Sequence, residues 1–394
     1  MDAALPLVIV GAGLAGWTTA REVRKRAPER AIVLISADAA DFYAKPTLSN
    51  ALAQKRTAAQ LVTTPAAQMA QTAQVQLHAH CTVRRLDTAT QTVHFDDAQG
   101  VEQQLRYGQL VLATGAHPIA LPLAGDAAHS VRAVNHLQDL AAFHQALGPA
   151  PKTVLVIGAG LIGCEFANDL LLGGYAVHVV DPAPRPLALL LPQGAGEALG
   201  TALQAQGVVW HMGTTVQHLA HSADGRVQAT LADGCVVLAD SVLSAVGLRS
   251  ETALASAAGI ACDRGVLVDA HLQTSVPDAY ALGDCAQYAS AGGRTLPYVM
   301  PIMNAAKALA ATLSGEPTIL VFPLMPVAVK TPALPIVVAA PHPATQGQWL
   351  QDAAAPTDEG GVWRFVDTQA QMRGFVLTGK QTARRMELAK ATLP

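Results

Sequence analysis

The hydrophobic residues of this chain fall into short runs that predict buried strands, separated by stretches of mixed polarity that predict helices. One arrangement occurs twice, near the start and near the middle of the chain. An apolar strand leads into a glycine-rich turn, a helical stretch and a second apolar strand. These elements are predicted at 7–10, 17–26 and 32–35, and again at 154–157, 164–172 and 177–180. A strand, a helix and a second strand form the start of a βαβ unit, so the pattern predicts two α/β domains with parallel sheets.

The other apolar runs complete the predicted element order. Further strands are predicted at 75–83, 93–95, 110–113, 242–246 and 279–282, and helices at 137–147, 303–313 and 381–390. The proline-containing stretches 118–122 and 149–151 read as connections. We therefore predict two Rossmann-like dinucleotide-binding domains and a small α+β C-terminal domain. Their predicted bounds are 1–115 together with 242–318, then 116–241, and finally 319–394.

One apolar segment is long enough to be mistaken for a membrane helix. The residues from Ile319 to Ala340 are almost all apolar, but four prolines interrupt the run and Lys330 lies in its middle. A helix containing four prolines would lose several backbone hydrogen bonds. The segment is therefore predicted to form two short buried strands, and no membrane insertion is expected.

The composition narrows the class of protein. The chain has 394 residues, 51% of them hydrophobic and 14% charged, which favours a well-buried protein of two or three domains. Its net charge of −3 provides no basic field for nucleic acid. The first residues carry no signal-peptide pattern. The five cysteines form no C-x-x-C pair, and neither they nor the 13 histidines have metal-ligand spacing, so we expect a cytoplasmic protein without a metal site.

The two glycine-rich turns both read G-x-G-x-x-G, at Gly11, Gly13 and Gly16 and at Gly158, Gly160 and Gly163. In this fingerprint the first glycine makes a tight turn, the second lets a pyrophosphate approach, and the third lets helix and strand pack closely. The phosphate charge then meets the N–H groups that open the helix, those of Leu14 and Ala15 or of Leu161 and Ile162. The alternative, a turn without a ligand, is weakened because the motif occurs twice in matching βαβ context. Two bound dinucleotides are predicted.

The residue that ends the second strand of each unit bears on which dinucleotide binds. Asp181 ends that strand in the middle unit, where a carboxylate accepts the ribose hydroxyls and repels a 2′-phosphate. NADH is therefore favoured over NADPH, although nearby Arg185 weakens the exclusion. The alternative for Asp181 is a turn former before Pro182. The first unit has Ser36 at this place, which could bind a ribose through its hydroxyl or its backbone.

At this point the whole chain resembles the flavoprotein reductases that bind two dinucleotides in a glutathione-reductase-like fold. The segment from Leu110 to Ala116 resembles the family's ATG sequence, with Thr114 and Gly115 at the crossing to the NAD domain. The segment from Thr274 to Ala286 resembles the second FAD motif. The resemblance implies that Gly283 and Asp284 contact FAD, the aspartate at a ribityl hydroxyl. From the residues alone, a Gly-Asp turn is equally a helix cap.

The loop from Phe42 to Ser49 bears on the reaction class. Disulfide reductases of this fold carry a cysteine pair there, and the related oxidases and peroxidases carry a single cysteine. This loop has none, so thiol chemistry at the flavin lacks a nucleophile. The loop instead resembles the Y-x-[RK]-P-x-L-S segment of flavoproteins that reduce small iron proteins. That resemblance implies that Lys45 lies over the flavin or its phosphates and that Pro46 fixes the loop. The alternative is a solvated lysine.

Three further residues are assigned to the cofactors by the same resemblance. Glu165 follows the second glycine motif, and its counterpart lies where nicotinamide meets flavin. From the residues alone it could equally be a favourable charge at a helix N-terminus. Val83 matches a position whose backbone meets the adenine of FAD. Val299 lies in the segment 298–303, which resembles rubredoxin reductases.

Within the family, the resemblance to rubredoxin reductases is the most detailed. Besides 298–303, it rests on 158–170, 244–249 and 326–332, while the aromatic tail motif of ferredoxin reductases is not evident. It implies that FAD takes a hydride from NADH and passes single electrons to rubredoxin, for an alkane hydroxylase or an oxygen- or peroxide-reducing pathway. It also suggests that Lys330 contacts a flavin carbonyl, the alternative being a lysine that reaches solvent at a strand end.

Two other functions remain open from the sequence. One is an NADH-dependent ferredoxin reductase of an oxygenase system, and the other is a non-catalytic flavoprotein that binds a partner. The last helix is basic, which could steer an acidic rubredoxin or could be a solvated face. Its cations are Lys380, Arg384, Arg385 and Lys390.

Overall fold

The computed structural model describes residues 5–148, 152–352 and 359–392. The chain divides into two compact units, each assembled from three segments. The first unit contains Met1–Lys45, Val62–His117 and Leu248–Phe322, and the second contains Pro46–Leu61, Pro118–Gly247 and Pro323–Pro394. The three-domain division proposed from the sequence remains a prediction.

A five-stranded parallel sheet forms the centre of the first unit. The strand Leu7–Val10 is fully buried and pairs in parallel with a strand on each side. The strand order across the sheet is Ala279–Ala281, Gln109–Leu112, Leu7–Val10, Ile32–Ile35 and Gln76–His78. The helices Leu14–Arg26 and Val299–Leu313 pack against each other, and Oγ1 of Thr18 lies 3.8 Å from Sδ of Met303. If these five strands are numbered in chain order, they lie across the sheet in the order 5-4-1-2-3, as in a doubly wound fold.

The second unit repeats this design. Its parallel sheet has the order Val208–Met212, Ala176–Asp181, Thr153–Ile157, Ser241–Ser244 and Arg132–Ala133. Numbered in chain order from Thr153, the first four strands of this sheet lie in the order 4-1-2-3, as the first four strands of the first unit do. The predicted pair of parallel α/β domains is thus present in the structure.

The repeat extends further than the sequence predicted. In each unit a three-stranded antiparallel sheet is inserted between the third and the fourth parallel strand. These strands are Thr82–Asp87, Thr92–Asp96 and Glu102–Arg106 in the first unit and Val216–His221, Val227–Leu231 and Val236–Ala239 in the second. The prediction of one strand over 75–83 was wrong, because the chain turns at His80, which has a φ of 55°. The first half of that segment joins the parallel sheet and the second half the antiparallel one.

The C-terminal part of the second unit is an antiparallel sheet. Its strand order is Val327–Val329, Ile336–Ala339, Met372–Thr378, Val362–Asp367 and Gly347–Gln351. The side chains of Val329, Ile336 and Trp363 are buried in one core with Val154 and Val177 of the parallel sheet. The apolar run 319–340 therefore forms two short strands, as predicted. In the described part of the chain, no helix combines the length and the apolar character needed to cross a membrane.

The remaining elements complete the two units. The 3₁₀ segments Lys45–Asn50 and Gly379–Arg384 precede, respectively, a turn and the last helix. The other helices are Ala66–Ala73, Leu137–Leu147, Leu161–Leu172, Gln193–Ala205, Ala253–Ala257 and Arg385–Ala391, and the other strands are Ala116–Pro118, Leu248–Ser250, Val266–Val268 and Ala286–Tyr288.

Both helices that follow a glycine motif begin earlier than predicted, at Leu14 and Leu161. The cause is that Gly13 and Gly160 occupy the N-cap position, so the third glycine of each motif lies inside the first helical turn.

Candidate functional site

The glycines of the first motif have three different environments. Gly11 has a φ of +107°, and a Cβ there would lie 2.2 Å from the carbonyl oxygen of Ala113. A Cβ on Gly16 would lie 1.9 Å from the carbonyl oxygen of Gly11. Around Gly13, in contrast, a Cβ would meet no protein atom within 4 Å. The first and third glycines are thus required by packing, and the second borders open space, which is where the fingerprint lets a pyrophosphate approach.

The second motif has the same geometry. Gly158 also has a φ of +107°, a Cβ on Gly163 would lie 1.9 Å from the oxygen of Gly158, and a Cβ on Gly160 would meet nothing within 4 Å. In both motifs the N-cap glycine offers no side-chain hydrogen bond to the helix. The N–H groups of Leu14 and Ala15, and those of Leu161 and Ile162, therefore open onto the space beside the second glycine, as an anion site requires.

The predicted FAD residues of the first unit converge on the first motif. A Cβ on Gly283 would lie 2.9 Å from Cβ of Ala15, so the Gly-Asp turn reaches the start of the helix only because Gly283 has no side chain. The ATG segment also lies against this motif, since a Cβ on Gly11 would lie 3.3 Å from the backbone nitrogen of Thr114. The adjacent Gly115 has a φ of +74°. The structure therefore brings together segments far apart in sequence around one helix N-terminus.

Lys45 and Asp284 form the charged part of this group. Nζ of Lys45 lies 3.8 Å from Oδ2 of Asp284. Burial raises the pKa of the Asp284 carboxyl above its usual value, and the nearby Lys45 ammonium opposes that rise. The sequence did not predict this pair, although it assigned each of the two residues to FAD separately.

Ser36 lies at the adenosine end expected for the first dinucleotide. Its backbone N–H donates to the carbonyl of His78, and its carbonyl accepts from the N–H of Cys81. Oγ of Ser36 donates to Oδ1 of Asp38 over 2.7 Å. Val83 is the second residue of the strand Thr82–Asp87, which follows this turn in the antiparallel sheet. The segment before Val83 is thus bonded to Ser36 through Cys81, and a carboxylate, that of Asp38, lies beside the Ser36 hydroxyl.

Val299 is the first residue of the helix Val299–Leu313, and the residue is 38% exposed. Neighbouring Met300 and Met303 are also exposed. This end of the helix therefore presents an apolar surface in the first unit.

Asp181 is fixed beside the second motif. Its Oδ2 accepts the N–H of Ala159, inside the glycine turn, and its Oδ1 accepts the N–H of Ala183, both over 2.7 Å. These bonds hold the carboxylate at the position where the fingerprint places the ribose. Arg185 is half-buried, and its Nε is buried without a hydrogen-bond partner. The second unit thus carries both the acidic Asp181 and the basic Arg185, the two residues that bear on the choice between NADH and NADPH.

Glu165 and Lys330 are partners in the second unit. Nζ of Lys330 lies 2.5 Å from Oε2 of Glu165 and 2.8 Å from Oγ of Ser49, and it also donates to the carbonyl of Pro46. The backbone N–H of Lys330 donates to Oε1 of Glu165 over 2.9 Å, and Oγ of Ser49 donates to Oε2 over 2.6 Å. The Glu165 side chain is fully buried. Its carboxylate is therefore paired with the Lys330 ammonium and accepts hydrogen bonds from three donor groups.

Sequence reasoning missed three residues of this group. One turn along the same helix, Asp169 accepts the N–H groups of Leu52 and Ala53 over 2.9 Å each. Oδ1 of Asn168 accepts the N–H of Ala333 over 3.0 Å. Ser49 is the third, through its bond to Glu165. The sequence signal was available, because Glu165, Asn168 and Asp169 are the polar residues of an otherwise apolar helix.

The cysteines of the described residues are all free, and none lies in the segment 42–49. Cys285, next to the Gly-Asp turn, is completely buried, and burial raises the pKa of its thiol. Burial also raises the pKa of Cys164 in the helix of the second motif. Neither thiol is a reactive thiolate. Within the residues that the structure describes, no cluster of three histidine, cysteine or acidic residues could hold a metal ion.

Comparison with known proteins gives two family matches. Residues 5–311 match the family described as pyridine nucleotide-disulphide oxidoreductase, and residues 320–392 match the rubredoxin binding C-terminal domain. The chain is 42% identical over 388 residues to a rubredoxin-NAD(+) reductase of Acinetobacter baylyi, covering 98% of this chain and 97% of that protein. It is 40% identical to a rubredoxin-NAD(+) reductase of Alcanivorax borkumensis, covering 98% of each.

A solved structure is also similar over nearly the whole chain. It is a ferredoxin reductase from Rhodopseudomonas palustris, with a TM-score of 0.88 and 26% identity, covering 99% of this chain and 95% of that one. The predicted fold class is confirmed by this likeness and by the family match over 5–311.

Proposed function

Because the chain belongs to the pyridine nucleotide-disulphide oxidoreductase family, we propose that it is an NADH:rubredoxin oxidoreductase that uses FAD. The match of residues 320–392 to a rubredoxin-binding domain is the observation that carries this function. The two relatives at 40% and 42% identity, both named rubredoxin-NAD(+) reductases, support it over nearly the full length of the chain. The family, the two cofactors and the partner agree with what the sequence predicted.

FAD, when bound, accepts the hydride of NADH and releases its electrons one at a time to an iron protein. The first glycine motif, with open space beside Gly13 and with Gly283, the neighbour of Asp284, packed against the helix start, supports FAD in the first unit. The second motif, with Asp181 held at the ribose position, supports NADH in the second unit. In this assignment the chain itself binds and orients both cofactors and sets the charge around them.

The assignment of individual residues to the cofactors follows this division. For FAD we propose contacts from Gly11, Gly13, Leu14, Ala15, Gly16, Ser36, Lys45, Pro46, Val83, Thr114, Gly115, Gly283, Asp284, Val299 and Lys330. For NADH we propose Gly158, Gly160, Gly163, Glu165 and Asp181. Lys45 brings positive charge to the Gly-Asp turn, 3.8 Å from Asp284. Lys330 and Glu165 together carry no net charge. Their bonds to Pro46 and Ser49 hold the segment that directly follows Lys45.

We also propose how the protein attracts its partner, in which compartment it works and which reaction consumes its product. The last helix presents Arg385 and Lys390 as exposed cations, whereas Arg384 pairs with Glu387 and Lys380 lies 3.9 Å from Glu359. The exposed pair would favour an acidic rubredoxin. We place the protein in the cytoplasm, since its described cysteines are all free thiols. Alkane hydroxylation or reduction of oxygen or peroxide would consume the reduced rubredoxin.

A ferredoxin reductase of an oxygenase system is the second candidate. The likeness to the ferredoxin reductase of Rhodopseudomonas palustris favours it, because the TM-score is 0.88 over 99% of the chain. The two candidates share the cofactors and differ only in the iron protein that accepts electrons.

Stopped-flow spectroscopy tests the proposal. The purified protein is mixed with NADH or NADPH while the flavin absorbance is followed, and the reduced protein is then mixed with rubredoxin or with a [2Fe–2S] ferredoxin. Fast bleaching by NADH and fast reduction of rubredoxin are expected. Fast transfer to ferredoxin alone would establish the second candidate. Bleaching without transfer to either protein would leave a flavoprotein whose partner is of another kind.

A further inference from the structure

The side-chain hydroxyl of Tyr288 forms hydrogen bonds with both the N–H and the carbonyl group of Gly283. The backbone N–H of Gly283 donates to the hydroxyl over 2.7 Å, and the hydroxyl lies 3.3 Å from the carbonyl oxygen of Gly283, to which it donates. Tyr288 is completely buried, and its ring meets that of Phe322 edge-on at 5.2 Å. Burial raises the pKa of the hydroxyl, which therefore remains protonated and able to donate.

Gly283 needs this partner because of where the sheet ends. The preceding N–H, that of Leu282, still donates to the carbonyl of Leu112 in the parallel sheet. At Gly283 the backbone turns to a φ of +82° and leaves the sheet. Gly283 is buried, and a buried N–H without an acceptor is costly. The Tyr288 hydroxyl supplies this acceptor.

The position of this turn matters for the residue that follows it. A Cβ on Gly283 would lie 2.9 Å from Cβ of Ala15, so the turn fits closely against the helix start of the first glycine motif. A second anchor lies on the other side of the turn, where Oγ of Ser250 donates to the carbonyl of Asp284 over 2.7 Å. The Asp284 side chain therefore leaves a backbone that is fixed on both sides.

We propose that Tyr288 is a positioning residue for FAD, which holds the Gly283 turn so that Asp284 meets the cofactor at the N-terminus of the helix Leu14–Arg26. This inference rests on the proposed function, since it requires FAD in the first unit. It assigns a role to a side chain that would otherwise be read as core packing. The difference lies in one oxygen atom, because a phenylalanine would fill the same volume.

The test compares Tyr288→Phe with Tyr280→Phe. Tyr280 is also a buried tyrosine of the first unit, on the strand Ala279–Ala281, and its hydroxyl bonds to Gln109, away from the turn. FAD affinity is measured by titrating each apoprotein and following flavin fluorescence, and the melting temperature of each apoprotein is recorded beside it. We expect Tyr288→Phe to raise the Kd for FAD about tenfold, since it strands a buried N–H in the turn. Tyr280→Phe should leave the Kd unchanged, even if both variants lose similar thermal stability.

A second variant reaches the same turn from its other side. Ser250→Ala removes the anchor on the Asp284 carbonyl, and it should also weaken FAD binding. Equal FAD affinity in wild type, Tyr288→Phe and Ser250→Ala would overturn the inference while leaving the flavoprotein assignment intact. Failure of the wild type to bind FAD would instead overturn the proposed function.

Discussion

The ammonium group of Lys330 lies 2.5 Å from Oε2 of Glu165, so the only charge in a long apolar segment neutralises a buried acid on the helix of the second glycine motif. The lysine side chain is 29% exposed and the glutamate side chain not at all. Such a pair adds little stability over an apolar replacement, but loss of one partner leaves a buried charge alone. Removing one of the two side chains should therefore change the free energy of unfolding by more than the intact ion pair contributes to it.

The first prediction concerns this asymmetry. Lys330→Met should lower the free energy of unfolding by about 3–5 kcal/mol, because Glu165 is left buried without a counter-charge. The double variant Lys330→Met with Glu165→Gln should recover a large part of that loss. Denaturant titration of both variants measures the difference.

Lys307→Met serves as the control for the first prediction, since Lys307 is an exposed lysine on the helix Val299–Leu313. Its free energy of unfolding should stay within about 0.5 kcal/mol of the wild type. If Lys330→Met is as mild as this control, the carboxylate of Glu165 does not depend on the lysine.

The second prediction concerns pH and Asp169. Burial raises the pKa of this carboxyl to about 6, against the opposing effects of the Ala53 and Leu52 amides and of Lys330, while Glu165 adds to the rise. Because the folded-state pKa lies above the unfolded one, the folded protein binds the extra proton. As pH rises from about 4 to about 6, the burial of Asp169 therefore lowers the free energy of unfolding progressively. Above pH 6 the whole loss, about 3 kcal/mol, is present.

Asp169→Asn removes this pH dependence. Unfolding free energies of wild type and variant, measured between pH 4 and pH 7.5, should differ by an amount that changes across the window and is constant above it. An asparagine has one acceptor for two N–H groups, so the variant also leaves the N–H of Leu52 or Ala53 without its present partner. Parallel curves for the two proteins would show that Asp169 does not titrate in this range.

The parts of the fold that were predicted from the sequence are those with a strong local signal. The strand Ile32–Ile35 and the helix Leu137–Leu147 have the predicted bounds, because apolar runs and helical periodicity are local properties. The two inserted antiparallel sheets were not recognised as a repeat, since their strands are exposed on one face and share no motif. Their equivalence depends on where the chain leaves and rejoins each parallel sheet.

For the site, the sequence indicated residues but not their partners. The glycine motifs and Asp181 were predicted because their spacing alone defines a known geometry. The partner of Lys330 was not, because Glu165 lies far away in sequence and only the fold brings the two together. Tyr288 was not predicted either, although its hydroxyl bonds to a glycine only five positions earlier, because nothing in the sequence indicates that the two groups meet across a turn. Polar contacts of both kinds leave no periodic pattern.

The third prediction concerns coenzyme choice. Asp181→Ser should lower the ratio of kcat/KM for NADH to that for NADPH by at least about tenfold, since it removes the charge that repels a 2′-phosphate. Arg185 is already close in the chain to receive that phosphate. Initial rates with each coenzyme measure the ratio. Glu197→Gln, at an exposed acid on the helix Gln193–Ala205, should leave it unchanged. A ratio unaffected by Asp181→Ser would place the ribose elsewhere.

The last prediction assigns each dinucleotide to its unit through the two second glycines. Gly13 and Gly160 both have negative φ, and a Cβ at either position would point into open space, so alanine fits the protein at both. The added methyl group would occupy the place of a pyrophosphate. Gly13→Ala should therefore weaken FAD binding by about a hundredfold, and Gly160→Ala should raise the KM for NADH by a similar factor with FAD retained.

Gly16→Ala is the matched contrast, because its Cβ would lie 1.9 Å from the carbonyl oxygen of Gly11 and must displace backbone. The apoproteins of Gly13→Ala and Gly160→Ala should melt within a few degrees of the wild type, whereas that of Gly16→Ala should be strongly destabilised. Loss of FAD in Gly160→Ala, with normal FAD binding in Gly13→Ala, would reverse the assignment. A common loss of stability in all three variants would mean that the second glycines serve packing, and the open space beside them would then need another explanation.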